Sequence, residues 1–210
     1  MNTNILTKYF EGLTEQQIKQ FENLESFFLE ENEKVNLVSR KDSEHLFVRH
    51  ILHSLSIPAF VEFAPNSKIA DVGTGGGFPG LPLAIFFPES HFTLFDSKKK
   101  KTDAVKRLLK KMELSNIKVL TTRTPEHKEK FDFVLGRAVT AYDKFYSEVI
   151  HLLRKGIKSS IPNGILYLKG GDFEDELKAV PRHSEVYNLE EIFEEDFFET
   201  KKLIYTPYDQ

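Results

Sequence analysis

Hydrophobic residues change their spacing along the chain at about residue 65. Before this point they recur at three- and four-residue steps, which is typical of amphipathic helices. The spacing predicts one helix over residues 14–31, with Thr14 as its N-cap, and a second over residues 43–56 that Pro58 ends. Because both helices precede the first clear strand, we expect residues 1–64 to form a small N-terminal helical lobe.

After residue 65, short apolar runs alternate with helical stretches. The predicted strands are residues 68–72, 91–95, 117–121, 131–135, 164–168, 185–189 and 203–205, and the predicted helices are residues 81–87, 99–112, 142–153 and 172–179. This alternation predicts an α/β fold with a mostly parallel sheet. The last two strands leave no room for a crossover helix, so we expect a late antiparallel strand. Residues 65–210 should form one compact domain that binds its ligand beyond the carboxyl ends of the strands.

A glycine-rich loop follows the first predicted strand. Residues 75–80 read Gly-Gly-Gly-Phe-Pro-Gly and fit the pattern G-x-G-x-x-G, with Asp96 about twenty residues later. Glycines let the backbone adopt positive φ and let a ligand approach without Cβ atoms in the way. Because the loop follows a strand and opens a helix, it predicts a nucleoside-cofactor site rather than a simple tight turn.

Asp71, just before the loop, favours one cofactor class. A dinucleotide would place a pyrophosphate beside this carboxylate, which would repel it. S-adenosylmethionine instead carries a sulfonium and an ammonium, which a carboxylate attracts. Asp96 suits the two ribose hydroxyls and is also a candidate N-cap for the next helix. The sequence therefore predicts a Rossmann-like class I methyltransferase sheet that binds S-adenosyl-L-methionine, with Asp71, Gly75 and Asp96 in the cofactor site.

Charge is distributed unevenly along a chain whose net charge is only -3. Residues 97–111 contain eight Lys or Arg and one acid, whereas residues 172–199 contain eleven acids and two basic residues. The basic run would attract a polyanion, but a solvated helix face is an equally good interpretation of it. No apolar stretch has the length of a membrane helix, and the first residues do not resemble a signal peptide, so we expect a cytoplasmic protein.

Five stretches of the sequence match the motifs of one family. They are residues 35–39 (Val-Asn-Leu-Val-Ser), 48–54 (Val-Arg-His-Ile-Leu-His-Ser), 71–83 (Asp-Val-Gly-Thr-Gly-Gly-Gly-Phe-Pro-Gly-Leu-Pro-Leu), 135–138 (Leu-Gly-Arg-Ala) and 168–170 (Leu-Lys-Gly). Together they resemble the bacterial 16S rRNA guanine-N7 methyltransferases, also called the glucose-inhibited division protein B family. Two positions depart from the family pattern: His53 replaces the usual Asp, and Gly136 replaces Ser.

The resemblance implies S-adenosylmethionine-dependent methylation of guanine N7 in 16S rRNA, presented as naked RNA or in the small ribosomal subunit. It implies further cofactor contacts for Gly73, Phe78, Thr124 and Pro125; the family often has Glu at the last of these, and Glu126 is a candidate to compensate. It places Arg137 at the mouth of the site, where Arg137 would contact the cofactor and position the base. We expect a monomer with no metal and no membrane partner.

Cations near this site are candidates for contact with the RNA backbone. The main candidates are Arg49, His50, Lys98, Lys99, Lys100, Lys101 and Lys169, and the same basic helix adds Lys106, Arg107, Lys110 and Lys111. For Arg49 and His50, a contact between the N-terminal lobe and the pocket is an equally good interpretation.

The chemistry of guanine N7 agrees with the residues present. N7 already carries a lone pair, so methyl transfer needs alignment of the reacting atoms and no general base. Methylation of a pyrimidine at C5 would need a cysteine nucleophile, and the chain has no Cys. Three alternatives remain open at this stage: a methyltransferase that acts on a small molecule or a protein, a non-catalytic NAD-binding module, and an RNA-binding scaffold whose transfer site has decayed.

Overall fold

The computed structural model describes residues 4–123 and 127–208. Its helices are α1 (Asn4–Tyr9), α2 (Glu15–Val35), α3 (Arg40–Ser43), α4 (Gly80–Phe86), α5 (Lys99–Met112), α6 (Tyr142–Val149) and α7 (Glu174–Lys178), with a π-helix at Phe47–Leu52. Its strands are β1 (Lys68–Val72), β2 (His91–Asp96), β3 (Ile117–Thr121), β4 (Phe133–Arg137), β5 (Gly164–Gly170), β6 (Glu185–Asn188) and β7 (Lys201–Pro207). None of the helices in these ranges is both long enough and apolar enough to span a membrane.

The seven strands form one sheet in the order β3-β2-β1-β4-β5-β7-β6. Strands β1 to β5 are parallel to one another, and β7 is antiparallel to both β5 and β6. The predicted α/β fold with a late antiparallel strand is therefore confirmed. The strand order reverses between β1 and β4, and at such a switch point the loops leaving the carboxyl ends of the two strands diverge and open a crevice.

The first long helix follows its local signals closely. The Thr14 hydroxyl accepts a hydrogen bond from the backbone N–H of Gln17 at 3.2 Å, and the Gln17 side-chain oxygen accepts one from the Thr14 backbone N–H at 3.0 Å. This capping box satisfies two N–H groups that a helix end leaves unpaired. Helix α2 then continues past the predicted end, and Asn36 terminates it in the left-handed conformation at φ 50°.

The prediction of a second α-helix over residues 43–56 is wrong in kind. The chain forms the short helix α3, a π-helix over Phe47–Leu52 and then a 3-10 turn at Ile57–Ala59. Phe47 and Leu52, five residues apart, are both buried. A five-residue step matches the wider π-helical turn, whereas the prediction assumed the three- and four-residue steps of an α-helix.

The N-terminal helices pack directly on the sheet domain. The Gln17 amide donates hydrogen bonds to the carbonyl oxygens of Ile85 and Phe86, both at 3.1 Å. Buried apolar residues of α2 belong to the same hydrophobic cluster as those of α4, α5 and the sheet. The ring of Tyr9 in α1 lies 4.8 Å from that of Phe193 near the C-terminus. The division at residues 64 and 65 stays a prediction, but one continuous core holds the site in place.

Candidate functional site

The loop between β1 and α4 adopts a conformation that requires glycine. Gly73, Gly75 and Gly77 have φ values of +72°, +59° and +97°. A Cβ on Gly73 would lie 2.7 Å from the Val139 side chain, which is closer than carbon atoms approach. The loop therefore combines left-handed backbone with close packing against the segment after β4, as expected where a ligand meets bare backbone.

Asp71 lies behind this loop and is not among the residues that line the cavity described below. Its carboxylate is fully buried. One oxygen, Oδ2, accepts hydrogen bonds from the Thr74 hydroxyl at 2.6 Å and from the Gly80 N–H at 2.9 Å, while Oδ1 has no partner among the described residues. Burial raises the pKa of Asp71 to about 6. The structure thus makes Asp71 a support of the loop, and its charge would act on a ligand through the loop rather than by contact.

Asp96, at the carboxyl end of β2, faces the loop directly. Its Oδ2 accepts a hydrogen bond from the Gly75 N–H at 3.0 Å, and its Oδ1 accepts one from the Lys98 N–H at 2.8 Å. The N-cap of α5 is Lys98, so the prediction that Asp96 caps this helix is wrong by two residues. Each carboxylate oxygen can accept a second hydrogen bond, which leaves Asp96 able to bind hydroxyl groups.

A cavity of about 660 Å³ opens beside the loop, at the carboxyl ends of β1, β2 and β4. Eight of the predicted site residues line it: His50, Gly73, Gly75, Phe78, Asp96, Lys98, Lys101 and Arg137. Thr124 and Pro125, together with Glu126, lie outside the described residues. The volume is in the range of small-molecule sites in proteins.

Several residues that line this cavity were not predicted. Ser97, Thr122, Arg123 and Val139 follow the ends of β2, β3 and β4. Their positions just after strands were a usable signal, because the loops at that edge of a parallel sheet surround the ligand. Leu37 and Val38 also line the cavity. They belong to the stretch 35–39 that matches the family motifs, and this match was the available signal, although hydrophobic spacing alone does not place the stretch over the loop.

Arg137 connects the sheet to the N-terminal segment. Its guanidinium donates hydrogen bonds to the Arg49 carbonyl oxygen at 3.0 Å and to His50 Nδ1 at 2.7 Å. Its Cζ also lies 5.2 Å from the centroid of the Phe78 ring. Burial lowers the pKa of Arg137 to about 10, so the guanidinium stays charged at neutral pH.

His50 is neutral in this arrangement. Burial, followed by the Arg137 charge, lowers its pKa to about 3. Because a guanidinium can only donate, His50 Nδ1 must be the acceptor in this pair. The ring centroid of His50 also lies 5.1 Å from that of Phe78. His50, Phe78 and Arg137 therefore form one packed cluster in the wall of the cavity, with His50 as the contact from the N-terminal segment.

A second cavity, of about 270 Å³, lies on the other side of this cluster. It shares His50, Arg137 and Ala138 with the larger cavity. Its other walls come from the N-terminal segment, from the end of β5 and from the start of β7; they include Arg49, His53, Lys169, Phe197 and Lys201. The cluster of His50 and Arg137 thus separates two adjoining spaces at the carboxyl edge of the sheet.

The predicted RNA-contacting cations divide into two groups. Five of them form ion pairs. Lys99 pairs with Asp103 at 2.6 Å, Arg49 with Asp42 at 3.0 Å and Lys169 with Glu176 at 2.7 Å. Two more pair with glutamates of α2: Arg107 with Glu31 at 2.8 Å and Lys111 with Glu30 at 2.5 Å. Within the described residues, Lys98, Lys100 and Lys101 have no carboxylate at ion-pair distance. For Arg107 and Lys111 the structure thus shows a packing role, since they join α5 to α2.

Gly136 has a structural reason to differ from the Ser expected by family resemblance. A Cβ at this position would lie 2.7 Å from Phe145 Cε2 and 2.9 Å from Tyr167 Cδ2. The two aromatic rings occupy the space that a side chain would need.

No group of three or more His, Asp or Glu within residues 4–123 and 127–208 is placed to hold a metal ion.

Comparison with known proteins identifies close relatives. A family model described as rRNA small subunit methyltransferase G matches residues 17–204. The ribosomal RNA small subunit methyltransferase G of Flavobacterium johnsoniae is 47% identical over 202 residues, which cover 96% of this chain and 96% of that protein. The protein of the same name from Christiangramia forsetii is 47% identical over 207 residues, or 99% of this chain and 98% of that protein.

Two solved structures share the fold at low sequence identity. A SAM-dependent methyltransferase from Aquifex aeolicus matches with a TM-score of 0.56 at 14% identity, covering 77% of this chain and 92% of that one. Fibrillarin from Aeropyrum pernix, solved with natively bound S-adenosyl-L-methionine, matches with a TM-score of 0.57 at 14% identity, covering 75% of this chain and 74% of that one. At such identity the likeness concerns the fold alone.

Proposed function

The chain belongs to the rRNA small subunit methyltransferase G family, and from that membership we propose that it transfers a methyl group from S-adenosylmethionine to N7 of a guanine in 16S rRNA. The observation that carries the proposal is the meeting of three features around one cavity. These are the left-handed glycine loop, the Asp96 carboxylate, and the cluster of His50, Phe78 and Arg137.

The larger cavity suits S-adenosylmethionine. Asp96 has acceptor capacity for the two ribose hydroxyls, and Phe95, Ser97 and Thr122 line the side where the adenine would extend. Gly73 and Gly75 line the cavity and have no side chains, so they present backbone to the methionine part. Bound here, the cofactor supplies an electrophilic methyl group. Asp71, with its charge just beneath the loop, favours a cationic ligand over a pyrophosphate.

The cluster beside the cavity suits a base that needs no deprotonation. Arg137 is charged and His50 is neutral, with its Nδ1 already engaged by the guanidinium. Neither side chain is therefore ready to act as a general base. Guanine N7 attacks with its own lone pair, so the contribution of the protein is to hold the base in line with the methyl group. Arg137 is the residue we assign to that positioning role.

The surface around the cavity suits an RNA substrate. Lys98 and Lys101 line the cavity itself and Lys100 is exposed beside them. These lysines lack carboxylate partners in the described part of the chain, so RNA phosphates would not have to displace an existing ion pair. One chain contains both cavities, and we therefore expect it to act as a monomer, in the cytoplasm where ribosomal subunits are found.

Mapping of the methylated base tests the proposal. The protein should be incubated with isotopically labelled S-adenosylmethionine and, separately, with naked 16S rRNA and with small subunits that lack the modification. Mass spectrometry of nuclease fragments should then find one labelled 7-methylguanine. The Arg137→Gln variant should be measured in parallel, and we expect it to transfer the methyl group more slowly than the wild type. Label on another atom or on protein would contradict the proposal, as would tight binding of NADH without binding of S-adenosylmethionine.

A further inference from the structure

The smaller cavity receives a lysine from the antiparallel strand. Strands β5 and β7 run in opposite directions, and Lys201 at the start of β7 is paired with Gly170 at the end of β5. The amino end of β7 therefore lies at the edge of the sheet where the parallel strands have their carboxyl ends. As a result, Lys201 lines the smaller cavity together with Arg49, His53 and Arg137.

Four cations and one carboxylate, that of Asp42, line this cavity. Two of its four cations have carboxylate partners: Arg49 pairs with Asp42, and Lys169 pairs with Glu176. The other two, Arg137 and Lys201, have no carboxylate at ion-pair distance among the described residues. Their hydrogen bonds go to neutral acceptors, namely the Arg49 carbonyl oxygen and His50 Nδ1 for Arg137 and the Thr200 hydroxyl for Lys201. An anion that entered the cavity would therefore meet two cations without displacing an ion pair.

Lys201 itself is partly buried, and its ammonium contacts neutral groups. Its ammonium donates a hydrogen bond to the Thr200 hydroxyl at 2.6 Å and lies 4.7 Å from the centroid of the Phe197 ring. Burial, together with the nearby Arg49 charge, lowers the pKa of Lys201. A bound anion would relieve both effects, because it would stabilise the charged form of the lysine and offset its repulsion by Arg49.

His53 also lines this cavity, and one of its ring nitrogens has no hydrogen-bond partner among the described residues. The residue is 5% exposed, and its Nε2 has no partner in the described part of the chain. The ring also hydrogen-bonds the Arg49 backbone, and burial holds the pKa of His53 well below its ordinary value. A neutral ring that donates to a carbonyl through Nδ1 keeps Nε2 as an acceptor. Such an acceptor suits a hydroxyl donor, which the 2′-hydroxyl of a ribose provides.

We propose that the smaller cavity binds a phosphodiester group of the RNA next to the target guanine, with Lys201 as its main cationic contact and His53 facing the adjoining ribose. The inference rests on the proposed function, because the shared wall of His50 and Arg137 places this phosphate beside the base that would be methylated. Lys201 would then fix the RNA backbone on one side while Arg137 positions the base.

The strand provides a matched control for the test. Lys202 follows Lys201 directly, so its side chain points to the opposite face of β7. Its ammonium donates to Asn188 Oδ1 at 2.6 Å, and it lines a different cavity. Lys201→Gln and Lys202→Gln therefore remove the same charge from neighbouring positions, only one of which faces the proposed phosphate. Lys201→Arg retains the charge.

The affinity for 16S rRNA should be measured for each variant over a series of salt concentrations, together with the affinity for S-adenosylmethionine. We expect Lys201→Gln to weaken RNA binding about fivefold at moderate salt and to reduce the slope of log K against log salt by about 0.7–0.9, the value for one phosphate contact. Lys202→Gln and Lys201→Arg should keep the wild-type slope. All variants should bind S-adenosylmethionine as the wild type does, which shows that they are folded.

The outcomes separate this inference from the proposed function. If the wild-type protein neither binds nor methylates rRNA, the proposed function fails. If the wild type methylates rRNA and Lys201→Gln has the same affinity and slope, only the phosphate site is overturned. A third arm adds inorganic phosphate against chloride at equal ionic strength. Stronger competition by phosphate in the wild type, lost in Lys201→Gln, would support a site that an RNA phosphate occupies. Phosphate binding that depends on Lys201 but leaves rRNA affinity unchanged would show that the cavity takes free phosphate and would overturn RNA as its source.

Discussion

Replacement of Asp71 by Asn should remove a pH-dependent cost of folding. Both donors to this carboxylate, the Thr74 hydroxyl and the Gly80 N–H, bond to the same oxygen, Oδ2. An amide oxygen in that place can accept both, so the substitution removes the charge and keeps the hydrogen bonds. The new NH₂ group would replace Oδ1, which has no partner among the described residues.

The magnitude follows from the pKa of the buried carboxyl. Burial raises the pKa of Asp71 from 3.8 to about 6. At 1.36 kcal/mol per pKa unit, ionisation then costs the folded state about 3 kcal/mol relative to the unfolded chain. Below pH 3.8 both states are protonated and the cost is absent. Between pH 3.8 and 6 the folded state binds more protons than the unfolded state, so the free energy of unfolding falls as the pH rises, and above pH 6 the loss is complete.

Urea unfolding of the wild type and Asp71→Asn without cofactor, from pH 4 to 7, measures this cost. The wild type should lose about 2 kcal/mol relative to the variant over this range, because part of the full loss has already occurred at pH 4. The titration of groups that both proteins share, including His50 and His53, cancels when the two free energies of unfolding are subtracted. The control is Asp103→Asn on α5. Lys99 lowers the pKa of the exposed Asp103, so any pH trend there should be small and of opposite sign.

A stability difference that stays flat from pH 4 to 7 would refute the reasoning, because it would mean that Asp71 ionises without cost. The same variant tests the electrostatic choice of cofactor. If the buried charge favours the sulfonium, Asp71→Asn should weaken S-adenosylmethionine more than the uncharged S-adenosylhomocysteine in calorimetric titrations. Equal losses for the two ligands would leave Asp71 with only its role in holding the loop.

Three further predictions test other parts of the site. Asp96→Ala should weaken S-adenosylmethionine binding by roughly 1–3 kcal/mol in calorimetric titrations, because charged hydrogen bonds are lost; Asp103→Ala is the control, and unchanged affinity would remove Asp96 from the site. Gly136→Ser should destabilise the protein by about 1–3 kcal/mol in urea unfolding, since the side chain would meet the Phe145 ring, and Phe145→Leu should restore part of the loss. Failure of that rescue would contradict the packing explanation. Reversal of Lys98–Lys101 to Glu should weaken rRNA binding and flatten its salt dependence in filter-binding assays, and an unchanged slope would identify this run as plain surface.

Much of the fold could be predicted from consecutive residues. Strands β1 and β3 and helix α5 begin and end where the apolar pattern places them. Thr14 forms the capping box with Gln17, as its position before the helix suggests. The glycine loop could also be predicted from the sequence, and Gly73 and Gly75 adopt the positive φ values expected of such a loop. These features depend on residues within one turn or one strand, so local spacing encodes them.

The tertiary structure alone decided which charges are available. Arg107 pairs with a glutamate 76 positions away and Lys111 with one 81 positions away, so two of the eight basic residues in this run have a different role from the rest. Asp71 lies behind the loop rather than against a ligand, and Lys201 reaches the site because β7 runs antiparallel to β5. Burial and ion pairing depend on segments that are distant in the chain and meet only when the sheet and helices pack. A local pattern shows that a residue is charged, but only packing determines whether that charge is shielded, paired or free.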